Sequence, residues 1–151
     1  MTLNITCEIK PDFKFHYKEL ACRVIEKSLE SEGFPYEAEI SLTLTGNDQI
    51  REINSQTRQI DRPTDVLSFP MYEADEEIDD FELVLFGDIV ISLERAEEQR
   101  VEYGHTLSRE VLYLFCHGLL HLCGYDHENE EDKAQMRKRE EEILDLIGQS
   151  R

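Results

Sequence analysis

Apolar and polar residues alternate over residues 2–9, with Leu3, Ile5, Cys7 and Ile9 on one face, which predicts a half-buried strand. The period then changes. Over 16–31, Leu20, Val24, Ile25 and Leu29 recur every three to four positions, which predicts an amphipathic helix ended by Gly33. Alternation returns over 38–45 through Ile40, Leu42 and Leu44, stops at Gly46-Asn47, and gives way to a short helix over 48–54. Residues 66–69 and 83–91 read as two further strands, and 92–103 as another amphipathic helix.

Residues 107–123 break this pattern. They are apolar almost all round, so their helix belongs in the middle of the molecule, not on its surface. Gly124 is placed to terminate it. Asn129 then has the character of an N-cap, followed by Glu130, Glu131 and Asp132 in a first turn where the helix dipole favours acids, and the last helix runs to about residue 147. Strands and helices mix without a strict strand–helix–strand rhythm. The expected fold class is α+β: a single-domain layer fold over 1–151, with a mixed sheet of about four strands and a central buried helix among surrounding helices.

Composition narrows the setting. A chain of 151 residues with 40% apolar and 33% charged residues is ordinary globular material for one domain. No apolar stretch approaches the ~20 residues of a membrane span, and the first residues lack the pattern of an export signal. A cytoplasmic protein with no membrane partner is expected. Its four cysteines form no C-x-x-C pair and are expected to be reduced and mostly buried. The formal net charge is −18, and residues 73–82 hold seven acids and no base, the pattern of a mobile acidic loop. Such a charge makes a poor non-specific nucleic-acid binder, so contact with RNA has to be local, in a positive pocket or around a metal.

The chemistry concentrates in H-G-L-L-H-L-C-G-Y-D-H, residues 117–127. His117 and His121 are four apart on the central helix and project from one face. Gly124 lets the chain turn back, which can return His127 to the same point. Three imidazoles with an open fourth position is the arrangement of a catalytic zinc rather than a structural one. Three partly charged rings buried without a shared partner would be costly, and one bound Zn2+ per chain removes that cost. The spacing H-x3-H-x5-H is also that of metzincin proteases, but Gly118 stands where they carry the glutamate base. Gly118 costs a helix about 1 kcal/mol against alanine, which makes sense only where backbone or substrate approaches closely.

The run H-G-L-L-H-L-C-G-Y-D-H resembles the signature of the YbeY family, bacterial endoribonucleases and ribosomal RNA maturation factors. Two further segments match it in order: Asn54-x3-Arg58-x2-Asp61-x-Pro63-Thr64-Asp65-Val66-Leu67-Ser68-Phe69-Pro70, and Phe86-Gly87-Asp88-Ile89-Val90-Ile91. The resemblance implies a zinc-dependent, single-strand-specific endoribonuclease of the cytoplasm acting in ribosomal RNA processing. Its partners would be ribosomal RNA and ribosomal subunits or ribosome-associated proteins. It also implies His117, His121 and His127 as metal ligands and Arg58 as the active-site arginine. A guanidinium is a planar fork suited to phosphate. Asp126, beside the third histidine, is a candidate to orient an imidazole from behind, while Asp65 and Asp88 read as turn or cap residues. His16 and His105 read as surface or packing residues. Two other readings stay open: a non-catalytic assembly factor stabilised by its metal, and a metallopeptidase borrowing an acid such as Asp126.

Overall fold

The computed structural model describes residues 1–34, 37–72, 83–126 and 128–149. Two expectations, the acidic loop at 73–82 and the third histidine, His127, therefore lie outside the described residues. The elements follow in order as β1 (Thr2–Cys7), α1 (Tyr17–Ser31), β2 (Glu37–Thr45), α2 (Asn47–Arg58), β3 (Val66–Pro70), β4 (Leu83–Ser92), α3 (Leu93–Tyr103), α4 (Leu107–Leu122) and α5 (Glu130–Leu146).

The four strands form one mixed sheet in the order β1-β2-β4-β3. β1, β2 and β4 run parallel, and β3 pairs antiparallel to β4. Ile89 and Ile91 of β4 face the main core with α4, whereas Val90, one position out of phase, joins Leu67 and Ile50 of α2 on the opposite face. α4 is the centre of the molecule: it lies on β3 and β4, and α1, α3 and α5 pack around it. The N-termini of α4 and α5 are capped by side chains, the second by the Asn129 that the sequence suggests. Thr106 Oγ1 accepts from the Arg109 N–H at 3.1 Å, and Asn129 does the same for α5 through the Asp132 N–H at 2.9 Å.

Three local readings are corrected. α2 does not stop at Asn54 but continues to Arg58 and ends on Gln59 in the left-handed region, φ 56°. Its last turn is Ser-Gln-Thr-Arg, with no apolar residue to mark the continuation. Asp88 is no turn or cap residue but sits within β4 opposite Ser41 and Phe69, on the half-open side of the strand. Of the four free thiols only Cys116 is buried; Cys7 is exposed because β1 is an edge strand. Among the described residues no helix is long and apolar enough to cross a membrane.

Candidate active site

Beyond its first two residues α4 is buried except at Tyr113, His117 and His121, each four residues from the next, which remain half-buried. At helical spacing they form one stripe, and this stripe is where α4 opens to solvent. The end of the helix is built to serve it. Gly124, at φ +102°, allows a tight reversal in which its N–H bonds the His121 carbonyl and the Tyr125 N–H bonds the Leu120 carbonyl, both at 3.0 Å. The reversal brings the Tyr125 carbonyl back to His121, whose Nδ1 it meets at 2.9 Å.

A second helix holds the other ring. His117 Nδ1 lies 2.7 Å from Glu140 Oε1 on α5. A carbonyl and a carboxylate can only accept, so in the neutral rings the Nδ1 atoms carry the protons and the Nε2 atoms carry lone pairs. Those two Nε2 atoms face each other at 3.2 Å. Two nitrogens on one tetrahedral zinc, each at about 2.0–2.1 Å, stand about 3.3–3.4 Å apart. The pair has the spacing and lone-pair direction of two ligands to one cation. Among the described residues no third histidine, cysteine or carboxylate completes such a group, and His127 is outside them. Neither neighbouring thiol is activated in the metal-free chain: burial foremost pushes Cys123 up to about 12 and raises Cys116 further.

The two rings open into a cleft of about 620 Å³ that is also lined by Arg58, Thr64, Asp65, Ser68, Gly118 and Asp126. Arg58 arrives there from the C-terminus of α2, and the turn at 61–65 follows it. That turn is tied down: Asn54 Nδ2 donates to the Arg62 carbonyl at 2.9 Å, and Asp65 Oδ1 accepts from the Val66 N–H at 2.8 Å. The fold thus brings Arg58, His117, His121 and Asp126 to one cleft. Asp126 is an exposed residue of its rim. The acceptors behind the two imidazoles are Glu140 and the Tyr125 carbonyl.

Glu140 escaped the sequence reading because it begins the run Glu140-Glu141-Glu142. A signal was present. Met136, Glu140, Ile143 and Ile147 recur at helical spacing along the buried side of α5, so Glu140 is an acid in a core position. Gly118 is explained by packing: an added Cβ would stand 3.1 Å from Ile89 Cγ2 and 3.4 Å from Val66 Cγ2, so α4 rests directly on β3 and β4 here. His105, read as a surface or packing residue, pairs with buried Glu110 at the start of α4.

A family model described as Endoribonuclease YbeY matches residues 4–148. The chain belongs to the YbeY endoribonuclease family. Endoribonuclease YbeY of Agathobacter rectalis is 47% identical, with all of both chains covered. That of Clostridium botulinum (strain Eklund 17B) is 49% identical over 93% of this chain and 91% of its own length. A solution structure of TM1509 from Thermotoga maritima aligns with 96% of this chain and 91% of its own, at 31% identity and a TM-score of 0.59. Every residue singled out in the cleft lies within the span matched to the YbeY family.

Proposed function

We propose that this YbeY-family endoribonuclease is metal-dependent and acts in the cytoplasm on single-stranded segments of ribosomal RNA during ribosome maturation, in contact with ribosomal subunits or associated proteins. The facing Nε2 atoms of His117 and His121, in the cleft that Arg58 also lines, carry this reading. His117, His121 and His127 would hold one Zn2+. Bound there, zinc lowers the pKa of a water towards 7 and polarises a phosphoryl oxygen.

The chain's own residues supply the rest. Arg58 offers a two-pronged cation to the scissile phosphate and neutralises charge that builds up as it reacts. The Tyr125 carbonyl and Glu140 keep Nδ1 protonated on both rings, so neither imidazole turns away from the cleft. In a chain of net charge −18, Arg58 makes the attraction for RNA local. Peptide hydrolysis is disfavoured by the position after the first ligand, where a zincin carries its base. Here it is Gly118, whose missing side chain would point at Ile89 and Val66.

The test is metal content together with cleavage of structured ribosomal RNA and of a generic peptide, with a His117→Ala control purified identically. About one zinc per chain and cleavage of RNA alone, both lost in the control, are expected. RNA cleavage that survives in metal-free protein would overturn the metal dependence. Peptide cleavage would overturn the substrate, and metal without RNA cleavage would favour an assembly factor.

A further inference from the structure

Glu140 reaches His117 from another helix, 23 residues further along the chain, and is only 2% exposed. Its Oε1 accepts the His117 Nδ1–H at 2.7 Å, while its Oε2 is buried and has no hydrogen-bond partner among the described residues. Among the described residues no lysine or arginine forms an ion pair with it: Lys133 and Arg137 line the cavity beside it, but the side chain it pairs with is the His117 imidazole. The phenol of Tyr113 on the other side is kept neutral by burial and by the carboxylate, both of which raise its pKa. A buried carboxylate with so little compensation is costly, and burial of this kind normally demands a nearby cation.

The metal reading supplies that cation on the far side of the ring. We infer that Glu140 is the positioning residue of the site. It locks His117 with Nδ1 protonated and Nε2 turned towards His121, and its buried charge strengthens cation binding through the imidazole. The inference rests on the proposed metal site, but the ring orientation it requires is a property of the metal-free chain. Without the cation Glu140 is a net cost to the fold, so its removal should weaken the site without weakening the protein.

Glu140→Leu removes both the acceptor and the charge, and Glu140→Gln removes the charge with little change of shape. Three measurements on the parent and both variants separate the possibilities. Titration with Zn2+ against a chromophoric chelator should show about 10- to 100-fold weaker binding in Glu140→Leu, with Glu140→Gln between it and the parent. Long-range ¹H–¹⁵N spectra of the metal-free proteins should show His117 protonated on Nδ1 in the parent and a mixture of tautomers in Glu140→Leu. Thermal melting of the metal-free variants should be no lower than that of the parent.

Unchanged zinc affinity and an unchanged His117 tautomer in Glu140→Leu would overturn the inference. Lower melting of both variants with unaltered affinity would make Glu140 a structural residue and overturn it as well. If Glu140→Leu fails to fold, Glu140→Gln decides by its affinity alone, with parent-like binding counting against the proposal. A parent that takes up no zinc would overturn the metal reading. The tautomer comparison would then still decide whether Glu140 fixes the ring.

Discussion

Two histidine–glutamate pairs each have one member on α4, and they differ in which ring nitrogen the carboxylate takes and in what the other nitrogen faces. His117 pairs with Glu140 and His105 with Glu110; the histidine side chains are 22% and 14% exposed and the glutamates 2% and 1%. Burial therefore does not tell them apart. In the first pair the carboxylate takes Nδ1, and Nε2 meets a second imidazole in an open cleft. In the second the carboxylate takes Nε2, and Nδ1 is buried with no partner among the described residues. A carboxylate-bound imidazole is half a description. What the other nitrogen faces separates a metal-ligand geometry from a packing device, and a helix can carry both within three turns.

The largest effect should come from breaking one pair and sparing the other. His121→Ala removes the imidazole that His117 faces, so dialysed protein should fall from about one zinc per chain to almost none. His105→Ala, prepared alongside it, should keep its full complement. Elemental analysis of the two gives the contrast directly. Full occupancy in His121→Ala, or loss in His105→Ala, would erase the distinction between the pairs.

The arginines near the two pairs sharpen it further. Arg58 is exposed in the first cleft, whereas Arg109 is 4% exposed and held by the Glu141 carboxylate at 2.7 Å and by the Gln149 carbonyl. Arg58→Ala should slow RNA cleavage by roughly 10²–10³-fold with melting temperature and zinc content close to the parent. Arg58→Lys should recover part of the rate, since an ammonium keeps the charge without the fork. Arg62→Ala, four residues on and exposed, should cost less. Arg109→Ala should do the reverse: zinc retained, stability down by roughly 2–3 kcal/mol. That is below the ~3–5 of a fully buried pair, because Glu141 can turn to water. Equal rate losses at Arg58 and Arg62 would mean that diffuse positive charge guides RNA.

These contrasts also mark how far the sequence could be read. Strand and helix periods located the elements with one buried face, and α4 stood out because it is apolar almost all round. The histidine spacing isolated His117 and His121 because a helix puts i and i+4 on one face. The end of α2 was invisible: its last polar turn is held by the αL reversal at Gln59 and by the bond from Asn54 to the Arg62 carbonyl, contacts without a hydrophobic pattern. Glu140 was hidden differently. Three consecutive glutamates look alike until the packing of α5 against α4 buries the first of them. Asp126 was singled out beside His127, which lies outside the described residues; the acceptor behind His117 is 23 residues away and the one behind His121 is a backbone carbonyl, and no spacing in the sequence marks either.

The smallest expected effect concerns the second pair. Burial foremost, with the nearby charge of Asp65, raises the Glu110 carboxyl above its ordinary value, while His105 and Arg109 oppose the shift only in part. The folded chain therefore favours the protonated acid more than the unfolded chain does. The stability this group contributes is fully present below the unfolded-state value of about 4.3 and is lost as pH rises through the folded-state value. Glu110→Gln has no proton to lose, so the melting temperature of the parent, relative to this variant, should be highest near pH 4 and decline towards pH 7. Repulsion from the net charge acts on both proteins nearly equally, and the difference between them removes most of it. Parallel melting curves across this range would show that Glu110 titrates alike in folded and unfolded chains. A difference that grows with pH would mean that an ionised pair with His105 governs this end of α4, and packing would no longer describe it.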